Sequence, residues 1–494
     1  MNSDDLPNNI DKLKKLLIDS LQKKDQEISE LQDYITILRR KKFAPSSESN
    51  TNQLQLFNEL EEVELSEDEE PKEEDIVVKE HTKKRGKRKS LPASLKRVET
   101  ILDLSDEEKV GMKCIGDEVS EELVIEPARV YVKRIVRKKY APINGDGDIL
   151  IRPLPKKLLP KTMASSSLIA YIITAKYVDA LPLYRQEKIF ERIDATLTRQ
   201  TMARWLIKVS EKLMPLYNLL QDKCLEKNYL QMDETTVQVL NEKGKSNTSK
   251  SYMWLRHLPG ANPIILYDYA PTRAGSVPLE LLEGFKGALQ VDGYDGYSAA
   301  CKKYNLARLG CWDHVRRKFF DASKTKNGKS IGKKGINLID KLYKIEKDIK
   351  YSSLEERLQV RQEKSKKLLN KIKEWIDDIR PKITPSSYGG KAINYTFNEW
   401  KYLIKYIDDP QFNISNIWIE NAVRPFAVGR RNWLFSASVD GAKASAMYFS
   451  LIETAKKNGI EPFDYLSRML EKLPAAETVD DFEKLLPLRD YFQA

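Results

Sequence analysis

A chain of 494 residues exceeds what one hydrophobic core ordinarily serves and predicts several domains. With 41% hydrophobic and 32% charged residues, the composition fits long solvated helices and excludes a membrane-embedded protein. The net charge of +11 favours an acidic partner, of which nucleic acid is the commonest.

The four cysteines, Cys114, Cys224, Cys301 and Cys311, include no CxxC pair. That spacing argues against a zinc knuckle and a disulfide framework, and a reducing cytosol is the expected compartment. The amino terminus lacks the apolar core of a signal peptide. The most apolar run, residues 168–175, is too short to span a membrane.

Residues 1–43 read as a coiled-coil oligomerisation helix. Ile10, Leu17, Leu31 and Leu38 share one heptad position, and Leu21, Ile28 and Ile35 share the other, with Lys14 and Lys24 interrupting the seam. The alternative is one amphipathic helix packed on its own domain. Residues 44–90 read as a linker, small and polar, then densely acidic over 59–80, then basic. In KKRGKRK (83–89), Lys83, Arg85, Lys87 and Arg88 suit a minor groove or phosphates, and equally a solvated charge run.

Residues 91–164 alternate, as in VYVKRIVRKKYA, and predict a small basic β-rich module suited to nucleic-acid backbone contact. Residues 165–227 read as helical. A helix ending near Arg192, a break at 193–197 and Thr198 as N-cap of a second helix carrying Arg199 and Arg204 form a candidate helix-turn-helix. A plain helical hairpin fits the same pattern.

From residue 228 the pattern turns to strands: 229–240, 251–257, 263–269, 288–292 and 307–311, with short helices at 277–285 and 298–304. That order predicts an α/β fold, a ribonuclease-H-like mixed sheet core over 228–440. A Lys/Glu-rich helical insertion interrupts it at about 325–400, and a helical region, 441–494, closes the chain.

Three carboxylates stand out. Asp233 in YLQMDETTVQV and Asp292 in LQVDGYDGY each end an apolar strand, and Gly293 allows close approach. Glu420 lies in WIENAVRPFAVGRRNWLF, four residues before Arg424, where Pro425 is expected to kink or end the helix. Two strand-borne aspartates and a helical glutamate are what two-metal phosphoryl transfer requires. Arg430, Arg431 and Trp433 suit phosphate contact and base stacking, against the alternative that Glu420 and Arg424 form an exposed ion pair. In GCWDHVRRKF, His314 among Arg316 and Arg317 suits the edge of such a site, against a packing histidine beside Trp312. Asp295 is a rival ligand.

At these residues the chain resembles the insertion-sequence 66 family of transposases, over nearly its whole length. The matching stretches include MDETTVQV, QVDGYDGY, GCWDHVRRKF, ENAVRPFAVGRRNWLFSAS and SLIETAKKNGIEPFDYL. The resemblance implies a DDE triad falling on Asp233, Asp292 and Glu420. It also implies a ribonuclease-H-like fold, two Mg²⁺ (or Mn²⁺) ions, and cutting and joining of double-stranded DNA at terminal inverted repeats and target. The expected protein is a homo-oligomer in the bacterial cytoplasm at the nucleoid, without membrane association, served by small accessory proteins encoded alongside. Zinc is not expected, because the family's paired cysteines before the catalytic domain are missing here. Two alternatives stay open: a structure-selective nuclease of the same fold, and a non-catalytic DNA-binding protein derived from a transposase.

Overall fold

The computed structural model describes residues 10–43, 130–140 and 150–491. The acidic and basic linker, with Lys83, Arg85, Lys87 and Arg88, lies outside the described residues, as does most of the predicted 91–164 module. The chain divides into two compact units, one of residues 66–154 and one of residues 1–65 together with 155–494.

In the smaller unit, β1 (Lys139–Tyr140) and β2 (Leu150–Ile151) pair antiparallel, and the Arg137 guanidinium donates to the Arg152 carbonyl at 3.1 Å. Lys133, Arg134, Arg137, Lys138 and Lys139 are all exposed.

The larger unit begins with α1 (Ile10–Phe43). One stripe of this helix docks: Asp33 and Ile37 are buried, and Asp33 accepts from the Lys326 amide at 3.1 Å. The heptad residues Leu17, Leu21, Ile28, Leu31, Ile35 and Leu38 stay exposed. The helix therefore packs on its own unit through residues off the seam and leaves the seam open.

Four helices follow, α2 (Ser166–Tyr177), α3 (Leu183–Glu191), α4 (Arg199–Lys212) and α5 (Met214–Leu225). Thr198 caps α4 as its sequence position suggests, its hydroxyl accepting from the Thr201 amide at 3.3 Å.

The sheet is built from β3 (Tyr229–Gln238), β4 (Lys250–Leu258), β5 (Ile264–Ala270), β6 (Ala288–Gln290) and β7 (Ala307–Leu309), with α6 (Ser276–Leu281) and α7 (Ser298–Lys303) in the connections. Its order is β5-β4-β3-β6-β7; β3, β4 and β5 are antiparallel neighbours, while β3, β6 and β7 run parallel. Parallel neighbours need crossovers, and the short helices supply them.

After β7 come α8 (Trp312–Ser323), α9 (Lys329–Asp348), α10 (Leu354–Val360), α11 (Lys366–Ile379) and α12 (Tyr388–Leu403). They form a second core, in which Trp312, Val315 and Phe319 of α8 pack with Leu342, Ile376 and Ile393. α8 thus buries its apolar stripe against these helices and not in the sheet core.

The chain returns through α13 (Ile417–Trp433), α14 (Val439–Lys457), α15 (Pro462–Lys472) and α16 (Val479–Glu483). Pro425 sits inside α13 and does not end it. The buried Tyr267 hydroxyl donates to the Ala422 carbonyl and so ties this turn of α13 to β5. The edge strand β5 is covered by α14: Thr454 and Ser450 accept from the Ile265 and Tyr267 amides at 3.0 and 2.8 Å. The carboxy-terminal helices therefore share the sheet's core and shield its open edge. Among the described residues no helix is long and apolar enough to cross a membrane.

Candidate active site

The register of the parallel strands brings Asp233 and Asp292 together. Gln231 of β3 is opposite Gln290 of β6, and each aspartate lies two residues further along its strand. Side chains alternate with period two, so both carboxylates leave the same sheet edge on the face that carries the two glutamines. Those glutamines do touch, Gln231 donating to Gln290 Oε1 at 2.7 Å. Asp233 accepts from the Glu234 amide at 2.8 Å, and Asp292 from the Tyr294 amide at 2.9 Å. Gly293 is needed where it stands: a Cβ there would lie 2.7 Å from the Tyr395 ring of α12.

The same glutamines position Glu420. Gln290 donates to the carbonyls of Asn413 and Gly310 at 2.7 and 3.0 Å, and Gln231 donates to the Ser415 carbonyl at 3.3 Å. Tyr229 donates to Gln290 at 2.6 Å and accepts from the Asn413 amide, while His257 meets Gln231 at 2.8 Å. Residues 413–415 are thereby fixed beneath the sheet edge, and α13 begins directly after them. Glu420 occupies its first turn, where the helix dipole favours negative charge. His257, which carries no sequence pattern, is buried in this network, and burial, then Lys457, pushes its pKa down to about 3. It is a neutral structural histidine.

The carboxylates feel one another. Burial first, then Glu234, Glu420 and Asp292, hold Asp233 well above the usual carboxylate range. Glu234 is raised too, by burial, although Tyr297 and Arg273 both bond it. Arg317 holds Glu420 Oε2 at 2.7 Å. Glu420 Oε1 and His314 Nδ1 stand 3.4 Å apart, both buried and neither in a hydrogen bond. Among the described residues, one cluster of ligand-type atoms lies mutually within 4.8 Å: Cys311, His314 and Glu420. Cys311 was not among the residues singled out in the sequence, although its CxxH spacing to His314 is legible there. Burial, then Asp313 and Glu420, pushes its thiol up.

The other expected contacts divide. Arg317, Arg424 and Arg431 on α8 and α13, and Arg199 and Arg204 on α4, are exposed. Arg316 is not available to phosphate: it is 4% exposed and its Nε bonds Asp340 at 3.0 Å, on the face of α8 that packs into the insertion. Arg430 reaches back to β3, bonding the Thr236 hydroxyl at 2.9 Å and the Thr236 carbonyl, so it ties α13 to the sheet. Trp433 folds over Gly429, and Lys176 covers its ring at 3.9 Å, which occupies the face a base would need. Asp295 accepts from the Ser298 hydroxyl at 2.7 Å.

A mixed sheet carrying two edge aspartates, with a helix bringing a glutamate toward them, is consistent with a transposase. Residues 161–444 match the transposase IS66 family, residues 450–488 its C-terminal element, and residues 30–100 the region described as transposase C of IS166 homeodomain. The chain belongs to the IS66 family of transposases. Similar proteins include two uncharacterized proteins of Sinorhizobium fredii. Protein y4qI is 30% identical over 81% of this chain and 77% of its own length. Protein y4jD is 30% identical over 80% of this chain and 81% of its own length.

Proposed function

We propose that this chain cuts the ends of an insertion sequence and joins them to target DNA, with Asp233, Asp292 and Glu420 as its catalytic carboxylates on a ribonuclease-H-like sheet. The observation that carries this reading is the shared sheet edge. The Gln231–Gln290 pairing sets the two aspartates side by side, and the same two side chains anchor the segment that delivers Glu420. The strand order and direction support the fold reading.

The donor set fits Mg²⁺ or Mn²⁺. All three groups offer oxygen, Glu420 Oε1 is buried without a hydrogen bond, and like-charge crowding around Asp233 calls for a cation. Such a pair of ions, when bound, activates the attacking oxygen and stabilises the leaving one. The chain's own groups do the positioning. The Glu234 amide orients Asp233, Arg273 and Tyr297 hold Glu234, and Arg317 fixes one Glu420 oxygen. Arg317, Arg424 and Arg431 are the cations offered to phosphates. The open heptad seam of α1 supports assembly of a homo-oligomer.

The test is cleavage of labelled DNA bearing the repeats that flank the gene, with Mg²⁺. Wild type is expected to cut at the repeat tips and yield joined products. Asp233→Ala is expected to lose cleavage by at least ~10³-fold while still binding the DNA, as removal of a group acting in the transition state does. Cleavage by Asp233→Ala at the wild-type rate refutes the assignment. Cutting without joining identifies a nuclease.

A further inference from the structure

We infer that Cys311, His314 and Glu420 form a binding site for one zinc-class divalent ion, which takes the same Glu420 oxygen as the all-oxygen site proposed above and therefore competes with it. It does not depend on the cleavage reading, because metal binding alone reports it.

The three groups come from two elements held rigidly together. Cys311 is the residue before α8, and His314 lies on that helix's first turn, three positions on. Glu420 comes from the first turn of α13. The Trp312 amide bonds the Ile414 carbonyl at 3.2 Å, and the Gly310 amide bonds the Tyr402 carbonyl at 3.0 Å. The start of α8 is thus fastened both to the segment that leads into α13 and to the insertion.

The distances suit one ion. Two nitrogen or oxygen ligands on a common tetrahedral ion, each ~2.0–2.1 Å from it, lie about 3.3–3.4 Å apart. His314 Nδ1 and Glu420 Oε1 are 3.4 Å apart, yet they make no hydrogen bond, and both atoms are shielded from water. Two orphaned buried polar atoms at ligand spacing call for a third party. A Cys311 ligand atom lies within 4.8 Å of both, on a residue 2% exposed. Binding needs that sulfur to move inward by about 1 Å, to the ~3.6 Å spacing that a sulfur bond of ~2.3 Å implies.

The chemistry selects the metal. One thiolate, one imidazole and one carboxylate are a borderline-soft set, which favours Zn²⁺ or Co²⁺ over Mg²⁺. Arg317 already occupies Glu420 Oε2, so the carboxylate offers one oxygen and not a chelate. Three protein ligands leave the fourth position open, as in zinc sites that bind a further group. The ion enters as M²⁺ and the Cys311 proton leaves to solvent. The family's paired cysteines, which this chain lacks, belong to the region before the catalytic domain and are not needed for this site.

The experiment uses the full-length protein and Co²⁺ as an optical probe. Wild type, stripped with chelator and titrated with Co²⁺, is expected to show thiolate-to-cobalt charge-transfer absorption that saturates at one equivalent and is displaced by Zn²⁺. Cys311→Ser is expected to abolish the band. His314→Ala and Glu420→Gln are expected to shift the titration to higher Co²⁺ and alter the ligand-field bands. Cys114→Ser, Cys224→Ser and Cys301→Ser are expected to keep the wild-type spectrum, and Asp233→Asn to keep it while losing cleavage. Circular dichroism establishes that each variant is folded. If Cys311→Ser fails to fold, anaerobic alkylation replaces it: bound Zn²⁺ must protect Cys311 from a small thiol reagent. Absence of the band in folded wild type, its persistence in Cys311→Ser, or no protection of Cys311 overturns the site. If the band forms on titration, absence of cleavage in protein stripped of Co²⁺ and Zn²⁺ and supplied with Mg²⁺ overturns only the proposed function.

Discussion

The larger unit has two cores, and each is pinned by one buried arginine used in a different way. In the sheet core, Arg256 is fully buried and bonds Asp268 of β5, the Tyr217 hydroxyl and Gln221 of α5, and the Leu281 carbonyl at the end of α6. All its partners surround the same strands. In the insertion core, Arg361 is 2% exposed and grips Glu346 with two bonds, of 3.0 and 2.6 Å. Its remaining donors go to main-chain carbonyls of Tyr406, Asp409 and Phe412 at 2.9 Å each. That segment runs directly into residues 413–415 and so into Glu420. The first arginine stabilises a layer, whereas the second fastens the insertion to the polypeptide that delivers Glu420, the carboxylate proposed as catalytic. An insertion attached in this way is part of the site, because it sets where α13 begins.

The two arginines can be removed in turn. Arg256→Met and Arg361→Met each strand a half-buried carboxylate, and each is expected to cost up to about 3–5 kcal/mol. Their effects on cleavage should differ. At a temperature where both variants stay folded by circular dichroism, Arg361→Met is expected to lose cleavage at least ~10²-fold, since a misplacement of about 1 Å has that effect. Arg256→Met is expected to keep most of it. Equal losses in the two variants would remove the distinction between the two cores.

A smaller effect is expected at the joint between them. Gln290 is fully buried and bonds Tyr229, Gln231, Gly310 and Asn413 at once. Gln290→Leu leaves those partners unsatisfied, at roughly 1–3 kcal/mol for each that finds no substitute. Urea unfolding should show the loss. Cleavage should fall with DNA affinity unchanged, because the lost bonds orient Asp292 and the Glu420 segment and touch no exposed cation. A parallel fall in DNA affinity would contradict a purely positioning role.

Much of this arrangement was legible in the sequence, and the rest was not, for one physical reason. Strands 229–240 and 288–292 announce themselves by β-branched and apolar runs, and their terminal aspartates by the break that follows. Thr198 was legible as a cap because capping is local. What sequence could not disclose is which face of a helix meets which neighbour. Arg316 and Arg317 are adjacent and chemically identical, but α8 turns one into the insertion core against Asp340 and the other toward Glu420. Arg430 looked like a phosphate ligand because its partner, Thr236, is 194 positions away. Pro425 reads as a helix end because a proline lacks the amide that would continue the ladder, yet the helix runs through it and the Tyr267 hydroxyl of β5 holds the neighbouring Ala422 carbonyl. Cys311 is inconspicuous in the sequence because it forms no CxxC pair; the spacing that matters is to His314.

The smallest expected effect has the opposite sign to the others. Asp233 is held well above its ordinary value of 3.8 by burial first and then by Glu234, Glu420 and Asp292. The native protein without metal therefore keeps this proton to higher pH than the unfolded chain does. The stability this group contributes is fully present below the ordinary carboxylate value and is lost as pH rises through the native one. Asp233→Asn keeps an oxygen to accept from the Glu234 amide and carries no charge, so at neutral pH in chelator it should melt above wild type. The gap should close as pH falls toward the ordinary carboxylate value, because wild type then recovers its proton. Mg²⁺ should reverse the order at neutral pH, by stabilising wild type through binding to the native state and leaving Asp233→Asn nearly unmoved. Melting curves across pH, with and without Mg²⁺, read all three effects. A gap independent of pH would mean that packing and not charge sets it, and the crowding of carboxylates at the sheet edge would then lose its claim to be a cation site.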